Sequence, residues 1–165
     1  MTDMVTVTVV NHVALDIAAA PDAVWRTIVD EYVEAKKFRE VYQVETIDEP
    51  AAFLGGYRMR LEKDGVVVDD RIVHITERDE AARRLRVFAD YLSVPGGLKV
   101  YATYHAQNTG ERTRYALDCH SRMGVETPDG GGKPAVDAAV SEMRSHFDAA
   151  LLDYLKSIKA RLEVA

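Results

Sequence analysis

Cysteine is almost missing. Cys119 is the only one in the 165-residue chain, so no intrachain disulfide can form and the cysteine-rich zinc modules are excluded. A reducing compartment is the expectation that follows. No uninterrupted apolar run approaches the ~20 residues that a bilayer-spanning helix needs. The opening residues, Met-Thr-Asp-Met-Val, lack the basic and apolar stretches of a secretory leader, so a cytoplasmic location is expected. Positive charge is not in excess either: 21 Lys and Arg against 27 Asp and Glu give -6, which argues against nucleic acid as a partner. Nucleotide-binding glycine fingerprints are absent. Gly130-Gly131-Gly132 follows no strand and lacks the Lys-Ser/Thr continuation of a P-loop, so it reads as a flexible loop.

What remains is a chain with 47% apolar residues, sufficient for one substantial core, and a length that fits one domain over 1–165. From 6 to 17 the pattern predicts a strand with Val9, Asn11, Val13, Leu15 and Ile17 on one face. Pro21 and Asp22 then mark a helix start ahead of Val24, Trp25 and Ile28, and a second short helix is predicted over 32–40. Alternating strands follow at 42–49, 56–63, 66–78, 83–91, 99–108 and 112–123, and Gly124 to Pro134 reads as a mobile connection. Over 135–163 Val136, Val140, Met143, Phe147, Leu151, Tyr154, Ile158 and Leu162 recur at steps of three and four, the signature of a long amphipathic helix. A sheet and a helix with one apolar face each must cover one another, so the antiparallel meander should wrap the last helix.

Ala18 to Trp25 (Ala-Ala-Ala-Pro-Asp-Ala-Val-Trp) after the first strand resembles the opening motif of the START-like (SRPBCC) helix-grip superfamily, in particular its polyketide cyclase/dehydrase and lipid-transport branch. Asp79 to Leu85 is similar to that branch's acidic hairpin. Val94-Pro95 to Tyr101, with Gly110 to Arg114, is similar to its proline-containing loop and following hairpin. The resemblance implies an α+β helix-grip fold: a seven-stranded curved antiparallel sheet, two short helices, and a deep cavity beneath the long C-terminal helix. It covers carriers, cyclases and receptors alike.

Hairpin arithmetic predicts which side chains face that cavity, because directly opposed residues in an antiparallel pair share a face. An Asp64-Gly65 turn sets Lys63 opposite Val66, hence Leu61 opposite Val68, Met59 opposite Asp70 and Tyr57 opposite Ile72. A loop around Glu80-Ala81 sets Thr76 opposite Leu85, His74 opposite Val87, Ile72 opposite Ala89 and Asp70 opposite Tyr91. The two turns agree. The turn at Thr109-Gly110 pairs Val100 with Cys119, Ala102 with Leu117, Tyr104 with Tyr115 and Ala106 with Thr113. On the outside, Arg60 then meets Asp69 and Arg71 meets Asp90. One outer row, Val67, Val73, Ile75 and Phe88, is too apolar for a solvated surface. Two readings of it stay open: a bulge or three-residue loop that inverts the fourth strand and expels Asp70 and His74, or a homodimer interface on the outer sheet face.

The expected wall carries Tyr57, Met59, Ile72, Tyr91, Tyr104, Tyr115 and Leu117 as ligand contacts, with Asp70, His74, Thr76, Cys119, Asn11 and Ser121 as polar groups, and Met143, Phe147 and Leu151 facing them from the helix. Such a wall is polar for a core, and small Ala89, Ala102 and Ala106 leave volume beneath the helix. A small hydrophobic ligand, aromatic, polyketide-like or lipid-like, reconciles the two. Asp70 and His74 are the candidate catalytic groups, as a general base and a proton carrier, if the protein is a cofactor-independent cyclase or dehydratase. The other reading of each is a satisfied core residue. Cys119 has no partnered base and reads as packing. His12, His105, His120 and His146 lack metal-ligand spacing, so no metal and no cofactor are expected. Mixed charge on the last helix (Asp137, Glu142, Asp148, Asp153 and Glu163 against Arg144, Lys156, Lys159 and Arg161) argues against stable membrane association. Three functions therefore stay open: ligand carriage or sensing, cyclisation or dehydration, and a dimerising structural protein with a filled core.

Overall fold

The computed structural model describes residues 3–47, 54–127 and 132–164. The elements run β1 (Asp3–Ile17), α1 (Pro21–Tyr32), α2 (Lys36–Arg39), β2 (Gln43–Thr46), β3 (Gly56–Lys63), β4 (Val66–Asp79), β5 (Arg84–Tyr91), β6 (Leu98–Asn108), β7 (Thr113–Thr127) and α3 (Gly132–Glu163). The strands form one seven-stranded antiparallel sheet in the order β1-β7-β6-β5-β4-β3-β2. No helix among the described residues is long and apolar enough to cross a membrane. β7 runs on to Thr127 and α3 begins at Gly132, so the connection read over Gly124 to Pro134 shrinks to 128–131, which lie outside the described residues, as do Gly130 and Gly131 of the glycine triplet.

α1 starts where proline dictates. Pro21 occupies the first turn, where its missing N–H costs nothing, and Asp22 places a negative charge at the positive end of the helix. Its buried face is Val24, Trp25, Ile28 and, unexpectedly, Glu31. The Trp25 indole N–H donates to Glu80 Oε2 at 2.6 Å, which ties α1 to the β4–β5 loop.

Strict alternation sets the faces of β1 and β7. Val9, Asn11, Val13 and Ile17 are buried, as are Thr113, Tyr115, Leu117, Cys119 and Ser121. The β6–β7 hairpin keeps the expected faces but slides by two residues. Ala102 opposes Cys119, Tyr104 opposes Leu117 and Ala106 opposes Tyr115, because the ladder closes at Asn108 and Thr113 with a longer loop than a two-residue turn.

α3 is seated on the sheet at its C-terminal end, where Leu155 and Ile158 are completely buried. N-terminal to these, Val136, Val140, Met143, Phe147 and Leu151 are only half-buried. An apolar stripe left partly uncovered on the side facing a sheet marks the place where helix and wall do not close on one another.

Candidate functional site

β4 departs from the predicted register. Lys63 does oppose Val66, but the ladder slips at Val68: Leu61 pairs with Asp69, Arg60 with Asp70, Met59 with Arg71, Arg58 with Ile72, Tyr57 with Val73 and Gly56 with His74. At the other end Asp79 opposes Arg84, the parity expected of that loop. A second slip at Thr76 then pairs Ile75 with Val87, His74 with Phe88, Val73 with Ala89 and Arg71 with Tyr91. Each slip is a bulge, one extra residue on β4, and each turns the strand over. Between them Asp69, Arg71, Val73 and Ile75 face inward.

The consequences for the expected site are direct. Asp70 lies on the outer side of the sheet, where Arg58 donates to it through Nε at 2.8 Å and Nη2 at 2.6 Å, with Arg60 at 3.6 Å. These guanidinium bonds, Arg58 first, hold its carboxyl below the usual aspartate range despite partial burial. His74 also faces outward, its ring stacked with Phe88 at 6.0 Å between centroids and packed over Gly56. Ile72 sits on the same outer face, opposite Asp90, and Thr76 is the exposed bulge residue outside the ladder. None of these four belongs to the concave wall. Val73 and Ile75 leave the row that looked too apolar, and the row that remains outside runs His74, Phe88, Tyr101, His120 and Val10 across five strands.

The inversion delivers Arg71 to the interior in place of Asp70. Its guanidinium is bonded to Asp69, donates to the Tyr91 hydroxyl at 3.0 Å and to the Tyr42 hydroxyl at 3.1 Å, and lies over both rings. The Tyr42 hydroxyl in turn donates to Asp69 Oδ2 at 2.8 Å. Tyr57, Met59, Tyr104, Tyr115 and Leu117 are buried on this wall as expected. Burial pushes the phenols of Tyr57, Tyr91, Tyr104 and Tyr115 upward, so they stay protonated at neutral pH. The Tyr57 hydroxyl is buried with no hydrogen-bond partner among the described residues.

Between this wall and α3 lies a pocket of about 190 Å³, open to solvent on one side and lined by Asn11, Tyr91, Leu98, Val100, Cys119, Ser121, Phe147, Ala150 and Leu151. Phe147 and Leu151 thus line it together with Tyr91, whereas Met143 is half-buried and not among the lining residues. Burial, with the nearby Asp118 carboxylate, pushes the Cys119 thiol up to about 12. It is therefore a protonated wall group and not a thiolate nucleophile at neutral pH.

A second polar cluster was missed by sequence reasoning. Glu31 is bonded by Arg161 and accepts from the Tyr154 hydroxyl at 2.7 Å, with Lys37 Nζ at 3.5 Å. Lys37 donates to the Tyr32 hydroxyl at 2.6 Å and lies 4.0 Å from that ring's centroid. Burial lowers the Lys37 amine to about 8, against the opposing pull of Glu31. One signal was available: Glu31 continues the spacing of Val24 and Ile28 on the buried face of α1.

No protein-family model and no curated protein matches the sequence. Solved structures do. The Zhui aromatase/cyclase from Streptomyces sp. R1128 is similar with a TM-score of 0.57 and 17% identity, over 98% of this chain and 94% of that one. Ara h 8.0201 gives 0.57 and 14%, over 92% and 99%. Norcoclaurine synthase from Thalictrum flavum gives 0.53 and 19%, over 84% and 87%. Likeness at such identities speaks to architecture alone, and with the sheet order and the gripped α3 it establishes that this chain has the helix-grip fold.

Proposed function

We propose that the protein binds a small, largely apolar organic molecule between the sheet and α3. The observation that carries this reading is the cavity of about 190 Å³, whose apolar lining comes from both wall and helix while only a few polar groups converge on it. Open to solvent on one side, it suits a molecule of two or three rings, part of which stays outside. Tyr91 joins it to the buried Arg71 cluster, which gives the ligand a polar end to be oriented by. Helix-grip proteins whose names specify an aromatase/cyclase or a norcoclaurine synthase are consistent with such use of the fold. The cavity speaks against a purely structural protein with a filled core.

Binding is tested with N-phenyl-1-naphthylamine, a neutral apolar fluorophore. Its emission should rise on addition of protein, and Leu151→Trp, which fills the cavity, should weaken its affinity by about tenfold or more. Unchanged affinity in that variant contradicts the reading.

Cofactor-independent cyclisation or dehydration of a carbonyl compound is the second reading, and Arg71 favours it. The Tyr91 hydroxyl accepts from the Arg71 guanidinium, which polarises its own O–H toward an oxygen that gains negative charge, as an enolate does. Loss of water from a linear poly-β-ketone, followed by mass, tests it; no loss above the uncatalysed rate contradicts it. Homodimerisation through the outer sheet face completes the proposal, supported by the row from His74 to Val10, in which Tyr101 is 51% and Val10 47% exposed. A monomeric sedimentation coefficient at high concentration contradicts it.

A further inference from the structure

Ser121 lies on the concave face of β7 and lines the pocket, with only 6% of its surface exposed. Its cross-strand neighbours on that face are Val9 of β1 and Val100 of β6, which carry no polar side-chain atom. Two residues along β7 comes Cys119, whose protonated thiol is a weak partner. The Ser121 hydroxyl makes no hydrogen bond to a described residue. It is not sealed off either. The Asn11 amide oxygen and the Tyr57 hydroxyl are closed to solvent and unpartnered among the described residues, whereas the Ser121 hydroxyl keeps open surface of its own. On the concave face that surface opens into the pocket. A molecule seated between Val100 and Leu151 must cover it, and a hydroxyl covered by carbon alone is a buried polar group left unpaired.

We propose that Ser121 sets the specificity of the pocket: its hydroxyl bonds a neutral oxygen on the ligand, hydroxyl or carbonyl, while the apolar body of the ligand lies against Leu98, Phe147 and Leu151. This rests on the reading of the pocket as the ligand site and narrows the ligand to oxygenated ring compounds such as phenols and ketones. A hydrocarbon of the same shape fits the space but strips the hydroxyl of water and gives nothing in return. The oxygen is neutral because the lining holds no cation to compensate an ionised one. Tyr91 lies two strands away on β5, where Arg71 engages its hydroxyl, so Ser121 is a separate anchor on the β7 side of the pocket.

The test is competition against N-phenyl-1-naphthylamine by 1-naphthol, 2-naphthol and naphthalene, at pH 7 where both naphthols are neutral. The quantity read is the affinity of each naphthol relative to naphthalene, in the wild type and in Ser121→Ala, which removes one oxygen atom and little volume. For at least one naphthol this ratio should fall about fivefold in the variant, the worth of one neutral hydrogen bond. Ser121→Cys, similar in size but a far weaker donor and acceptor, should lose most of the same preference and decides the matter if Ser121→Ala does not fold. Ratios that are unchanged or higher for both naphthols in the folded variant overturn the inference. Failure of the fluorophore itself to bind the wild type overturns the reading of the pocket instead, so the two failures are told apart.

Discussion

Arg71 and Tyr91 meet across β4 and β5 on the concave face, the guanidinium donating to the phenol at 3.0 Å and lying 4.5 Å from the ring centroid. The contact exists only because β4 is turned over between its two bulges. Without that inversion Arg71 would be an outer-surface cation and the interior would hold an aspartate. Asp69 depends on the same contact set, since Arg71 and Tyr42 are what compensate its carboxylate there.

Arg71→Met should therefore destabilise the fold by about 3 kcal/mol, because it leaves Asp69 largely buried without its counter-charge. Asp69→Asn combined with Arg71→Met should recover a substantial part of that loss. Urea unfolding of the wild type, the single variants and the double variant measures both. Additive losses would mean that the two side chains do not act as a pair.

Asp70→Asn and His74→Ala should leave the affinity for N-phenyl-1-naphthylamine as it is in the wild type, since both residues lie on the outer face. Asp70→Asn should still lower stability at pH 7. The Asp70 carboxyl is held low by Arg58, so its contribution is present above the ordinary aspartate pKa and disappears as the pH falls. The gap between the thermal melts of the two proteins should begin to close below about pH 4 and vanish at lower pH, once the carboxyl protonates in the fold as well. A constant gap down to acid pH would contradict the pairing.

The Lys37 amine gives the opposite pH dependence. Its folded pKa, about 8, lies below the ordinary 10.5, so between these values the unfolded chain holds the extra proton. Stability must rise with pH across that window, as the cost of burying a charged amine is relieved. The difference in unfolding free energy between wild type and Lys37→Met should shift in favour of the wild type from pH 8 to pH 10. The buried tyrosines are common to both proteins and cancel in the comparison. Parallel curves would mean that Lys37 keeps its proton in the fold.

Most of the architecture could be read from the chain because alternation is strict where a strand buries one face. β1, β5, β6 and β7 place their inward residues where the pattern puts them, and β3 has the predicted bounds. β4 could not be read the same way. Its bulges fall at Val68, inside a run of three valines, and at Thr76, and neither carries a glycine or proline to mark it. Two single-residue slips of the same kind also cancel, so the turns at either end predicted one consistent phase for a middle that has the other. Their agreement was no test of the strand between them. The sign that was present was energetic: Val73 and Ile75 on a solvated face. Asn11 shows a different limit. Its inward direction is legible in β1, but the orientation of its amide is set by Arg144 and Asp148, more than 130 residues away in sequence.

A small apolar molecule is expected to lodge between the sheet and α3. Intermolecular NOEs between N-phenyl-1-naphthylamine and methyl-labelled protein test it most directly. Contacts are expected to the methyls of Leu98, Val100 and Leu151, which line the pocket from opposite sides. Contacts confined to Val10 and its neighbours on the outer face, with none to those three, would contradict it.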